Sequence, residues 1–141
     1  EIGDNCFTHN APGWVDTPGS WFEWNLNEMT VRFVIADRGR GILDSLHAVR
    51  PTLLTHQDAL LVALTERVSG RAPEDRGNGL KFVMGVLTQL PSGSFSLQSG
   101  DAKFFCKVPL DRNQIASYIT KVPQAIRGTY CEMVFNLPYA R

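Results

Sequence analysis

The sequence predicts an α+β fold: a two-layer sandwich in which a mostly antiparallel, mixed sheet carries its helices on one face. Three observations predict it. Strand-like segments are segregated from helical ones along the chain, and that order suits helices packed on one side of a sheet. Alternating strand and helix, the pattern of a doubly wound parallel sheet, is absent. Finally, 141 residues with 43% hydrophobic and 20% charged side chains suit a single domain, 1–141, with its own core.

Each element follows from local pattern. Residues 1–9, "EIGDNCFTH", read as the end of a helix that "NAPG" stops. So short a helix is marginal alone, and the chain opens on Glu1 rather than Met. The expectation is therefore a domain lacking its N-terminal helix and strand. After the loop through "DTPGS", "WFEWNL" and "MTVRFVIA" form a hairpin across "NE". "ILDSLHAV" is a short helical piece closed by Arg50-Pro51. "THQDALLVALTERV" has Thr55 as N-cap and places Leu60, Leu61, Leu64 and Val68 on one stripe. The polar "SGRAPEDRGNG" is a loop, and "LKFVMGVLTQL" then sets Leu80, Val83, Met84, Leu87 and Leu90 at helical spacing. "SFSLQS" and "AKFFCKV" alternate as two strands across a Gly100-Asp101 turn. "DRNQIASYITKVPQAIRG" is a connection without a clear pattern, and "TYCEMVFNLP" is a closing strand.

Composition narrows the function classes. Fourteen basic and fourteen acidic residues cancel, so no overall field attracts nucleic acid or an anionic membrane. No apolar run is long enough to span a membrane and no signal peptide is visible, which gives a cytoplasmic expectation. Cys6, Cys106 and Cys131 are widely spaced and read as free thiols rather than a disulfide framework or a zinc site. Trp14, Trp21, Phe22 and Trp24 are expected to serve core and hairpin packing. His47 and His56 lack ligand-spaced Asp or Cys partners and read as structural or exposed.

Two glycine clusters carry the chemistry: Asp37-Arg38-Gly39-Arg40-Gly41 and Arg76-Gly77-Asn78-Gly79-Leu80. Neither fits a P-loop, since Leu80-Lys81-Phe82 follows Gly79 where Lys-Ser/Thr is needed. Each alone reads equally well as a turn. The first ends an apolar strand on a carboxylate, whose burial is costly unless a donor meets it. An adenine amino group is such a donor, and glycines beside it admit a flat ring. The second opens a helix, whose free N–H groups and dipole form an anion site beside Arg76.

Taken together, "DRGRG", "RGNGL" and "EIGDNCFTH" resemble the Asp-x-Gly-x-Gly box, the Gly-x-Gly-Leu box and the N-box of the GHKL superfamily. These are the ATP-binding domains of DNA gyrase, the heat-shock ninety chaperone, histidine kinases and mismatch-repair MutL proteins. "RGTYCEMVFNLP" resembles the Gly-Thr and final strand that close the bacterial kinase versions, and the similarity covers nearly the whole chain. The compact lid and His9 look closest to bacterial histidine kinases and to anti-sigma serine kinases.

The resemblance implies a Bergerat, or histidine kinase-like ATPase, fold that binds ATP and Mg²⁺. Asp37 would receive the adenine amino group, Gly39 and Gly41 would shape the base pocket, and Ile42 would lie against the ring. Gly77, Gly79 and Leu80 would wrap the phosphates, with Arg76 and Arg71 as candidate phosphate partners. Residues 44–75 would form the lid. Lys81 departs from the small residue many kinases carry there. On a helix Glu1 and Asn5 share one face, with His9 a turn further. Asn5 would ligate Mg²⁺, whose preferred ligands are oxygens, and Glu1 would act as catalytic base. The implied activity is transfer of the ATP γ-phosphoryl to a partner protein or an upstream domain, with a homodimer through that upstream region. Two alternatives stay open: an anti-sigma-type serine/threonine kinase, and a nucleotide-gated interaction module with little turnover.

Overall fold

A computed structural model describes residues 19–66 and 79–137 of the chain. Along them run β1 (Ser20–Asn27), β2 (Thr30–Asp37), α1 (Gly41–His47), α2 (His56–Thr65), α3 (Gly79–Leu87), β3 (Gly93–Val108), a 3₁₀ helix (Arg112–Tyr118) and β4 (Ile119–Asn136). The N-box segment, the "SGRAPEDRGN" loop and the last four residues lie outside the described residues.

The four strands form one sheet in the order β1-β2-β4-β3, and each neighbouring pair is antiparallel. The expected α+β architecture therefore holds. The mixed character does not: among the described residues no strand pair is parallel. β1 and β2 are the anticipated hairpin. Its turn falls at Glu28-Met29, with Glu28 in the left-handed region at φ 51°, as two-residue hairpins demand.

Two expectations need correction. "SFSLQS" and "AKFFCKV" are one strand, β3, because Gly100-Asp101 makes a register shift inside the ladder rather than a reversal. The unassigned "ITKVPQAIRG" is the first half of β4, paired with the far half of β3. Pro123 is tolerated there because β2 meets β4 only from Thr129 onward, which leaves the Pro123 stretch flanked on one side.

The helices pack mainly over β3 and β4. Thr55 caps α2 as expected, its Oγ1 accepting the Asp58 N–H at 3.1 Å, a contact worth ~1 kcal/mol. Leu60 and Leu64 of α2 and Met84 and Leu87 of α3 meet Phe95, Leu97, Phe104 and Cys106 of β3 and Cys131 of β4 in the main core. A smaller cluster joins Leu46 of α1 to Leu53, Ala59 and Val62. The expected lid thus divides: across α2 it is core layer, not a flap, and its end lies outside the described residues. The ring of His56 lies against Gly100 at the bulge.

Cys106 and Cys131 are free and buried, as the spacing suggested. Burial pushes the Cys106 thiol up from 9.0 to about 11, against a smaller opposing effect of a hydrogen bond with the Phe95 backbone. The folded chain thus holds this proton more tightly than the unfolded chain. Its contribution to stability is whole below about pH 9 and is lost as pH climbs toward 11. Urea melts of wild type and Cys106→Ala should therefore converge over that window. A constant gap between them would show that the thiol is not desolvated.

Candidate functional site

β2 ends on Asp37, which is 8% exposed. Buried carboxylates need donors, and the Gly39 N–H supplies one at 2.7 Å from Oδ1. This is an Asx-type turn, with the side chain organising the backbone just beyond the strand. A carboxylate has about four acceptor positions, and the Gly39 N–H fills one of them. The turn delivers the chain into α1 at Gly41, flanked by the exposed Arg38 and Arg40.

The register reveals what surrounds the carboxylate. Asp37 stands opposite Ser20 on β1 and Thr129 on β4, and Thr129 stands opposite Ser99 on β3. Because side chains alternate across a sheet, all four project from the face that carries the helices. The neighbouring row on that face is Phe22, Ile35, Cys131 and Leu97. One polar row, Ser20-Asp37-Thr129-Ser99, thus crosses all four strands where β2 ends, beside an apolar one. At ~4.8 Å per strand it spans roughly 14 Å.

Ser99 fixes the geometry of this end. Its Oγ accepts the Ile42 N–H at 2.9 Å and lies 3.2 Å from the Gly128 carbonyl, to which it donates. One hydroxyl therefore ties the first turn of α1 to β4. Close approach requires glycine at both contacts. Gly41 has φ +76° and a Cβ there would come within 2.8 Å of the Ser99 oxygen. Gly128 has φ +83°, and a Cβ there would overlap the Asp37 carbonyl oxygen and reach 2.8 Å from the Gly39 nitrogen. Three glycines and one serine thus hold the Asp37 turn, α1 and β4 together.

The second glycine cluster is described from Gly79 onward. Gly79 is the first residue of α3, and Leu80 is half-buried against the main core. Ile42 packs on that same core cluster, so both glycine segments lead into helices of one layer. Arg71, Arg76 and Gly77 lie outside the described residues, as do Glu1, Asn5 and His9. Lys81 is half-buried.

Ser20, Ser99, Gly128 and Thr129 were not singled out as site residues from sequence. The resemblance marks Gly128 and Thr129 only as the Gly-Thr that leads into the closing strand. Nothing local marks Ser99, whose importance depends on a register across separate strands. The arrangement offers a buried acceptor with the Ser20 and Thr129 positions on either side, which suits a planar ligand with an amino group and ring nitrogens. Among the described residues no group of three or more His, Cys, Asp or Glu side chains is placed to hold a metal. No helix among them is long and apolar enough to cross a membrane. The chain matches no protein-family model. No curated protein is significantly similar to it.

Proposed function

We propose that the chain is the Mg·ATP-binding catalytic domain of a histidine kinase-like protein, with a Bergerat-type fold. It would transfer the ATP γ-phosphoryl to a residue on a partner or on an upstream domain. The observation that carries the reading is the polar row around Asp37, set where "DRGRG" turns into α1. A carboxylate buried at a strand end, with hydroxyls on either side, is a matched receptor for the amino edge of adenine.

In this reading Asp37 accepts a hydrogen bond from the adenine amino group, and Thr129 donates to a ring nitrogen or a bridging water. Ser99, whose proton is given to the Gly128 carbonyl, holds α1 in place beside the ring. Ile42 covers the ring. The amides at the start of α3 receive the phosphates, where unsatisfied N–H groups and the helix dipole favour anions. The bond from the γ-phosphorus to its bridging oxygen breaks, a new bond forms to the acceptor nitrogen or oxygen, and ADP leaves. Mg²⁺, when bound, neutralises phosphate charge. Asn5, the oxygen ligand expected for it, lies outside the described residues, as does Glu1, the expected base.

Thermal melts with ATP, ADP, adenosine and GTP, each with and without Mg²⁺, test the proposal. At about a hundredfold excess over Kd, Mg·ATP should raise Tm by roughly 8–10 °C. Adenosine should give less, for want of phosphate contacts. GTP should give least, because guanine turns an acceptor oxygen toward the carboxylate. A flat response to every nucleotide, or equal shifts with ATP and GTP, would remove the proposed pocket.

A further inference from the structure

Among the described residues β1 forms one edge of the sheet, a place natural proteins seldom leave unprotected. β1 is an outer strand, and all eight of its residues are exposed. Phe22 and Trp24 are 61% and 62% exposed, Leu26 is 55% exposed, and Trp21 on the opposite face is 61% exposed. Of the expected core and hairpin packing, the β1 aromatics show the hairpin part and not the core part, and Trp14 lies outside the described residues. Only Phe22 is stacked on a neighbour, Phe33, at a centroid distance of 6.5 Å. The usual edge protections are missing: "SWFEWNLN" has no proline, no lysine and no bulge. Its single charge, Glu23, is 3.1 Å from Arg32, which also pairs with Glu132.

We propose that β1 is a self-association edge, pairing antiparallel with β1 of a second copy of this chain. The backbone sets which groups are available. The Arg38 N–H donates to the Gly19 carbonyl at 3.0 Å, and these residues continue the register in which Ser20 faces Asp37. Odd-numbered residues of β1 therefore turn their backbone groups toward β2, and Ser20, Phe22, Trp24 and Leu26 turn theirs to the open edge.

Two copies related by a twofold axis at Trp24 use those groups reciprocally. Trp24 then faces its symmetry mate, Phe22 faces Leu26, and Glu23 faces Asn25, so no like charges oppose each other. Centring the pair one residue earlier would instead set Glu23 against Glu23. Such pairing closes on itself, because it consumes the β1 edge of both copies. The three aromatic side chains of β1, of ~150–250 Å² each and about three-fifths exposed, offer roughly 275–460 Å² per copy. Doubled, that is roughly 550–920 Å², the size of a weak, reversible interface. The proposal does not depend on the nucleotide reading, since Trp24 sits four residues along β1 from the polar row.

Sedimentation velocity on the whole 141-residue chain across a concentration series tests it, alongside Trp24→Pro and Trp24→Lys. The proline removes an N–H that the β1–β2 ladder does not use, and the lysine adds an edge charge. Wild type should show a monomer–dimer equilibrium, and each variant should weaken it by roughly tenfold or more while keeping native circular dichroism. Should the proline variant unfold, the lysine variant alone decides. A wild type that stays monomeric overturns the proposal, as does a dimer indifferent to both substitutions. Open-ended aggregation of the wild type, or a monomer whose β1 takes up a different protein, also overturns it.

Discussion

Asp37→Asn should lower ATP affinity by roughly 10- to 150-fold in calorimetric titration if the proposed pocket holds adenine, the equivalent of one charge-assisted hydrogen bond of ~1.5–3 kcal/mol. The asparagine keeps an oxygen that can accept the Gly39 N–H, now bonded to Asp37 Oδ1 at 2.7 Å, so the local turn persists. What changes is the group offered to the base. An amide that spends its oxygen on the turn presents its NH₂ to the adenine amino group, donor against donor. Stability should move little, and wild-type melting behaviour of the variant would confirm that the loss lies in binding. Unchanged affinity would mean that Asp37 serves only its own turn.

Gly128→Ala has the larger effect on the fold. The new methyl would meet the Asp37 carbonyl oxygen and stand 2.8 Å from the Gly39 nitrogen, in a residue held at φ +83°. Both neighbours are backbone, so neither yields by a rotamer change. The cost should reach ~3–5 kcal/mol, the range of a strained backbone combined with a core overlap. Denaturant unfolding should show an early midpoint, and nucleotide binding should fall with it, because relief means parting β4 from the Asp37 turn. A midpoint within about 1 kcal/mol of wild type would show that the junction is loose.

The hairpin was legible because "WFEWNL" and "TVRFVIA" have strand propensity and flank a short polar turn. α2 and α3 were legible because Thr55 caps one and a leucine-methionine stripe marks the other. Gly100-Asp101 misled because a bulge and a hairpin turn draw on the same residues; only the partner strand distinguishes them. Pro123 argued against a strand, and its position on a singly flanked part of β4 is a tertiary fact. The β1 aromatics pack in the hairpin but not in the core, because hydrophobicity does not say which strand the helices cover.

At the site, Asp37, Gly39 and Gly41 were readable as a local cluster. Ser20, Ser99 and Thr129 join them only through register. Sequence lists neighbours along the chain, and the polar row is built from four distant strand positions.

The most direct measurement is a crystal structure of the chain with Mg²⁺ and a non-hydrolysable ATP analogue. It should show the adenine amino group on the Asp37 carboxylate and the phosphates against the Gly79 end of α3. A nucleotide bound away from the polar row, or one whose base and phosphates do not reach both features, would contradict the account.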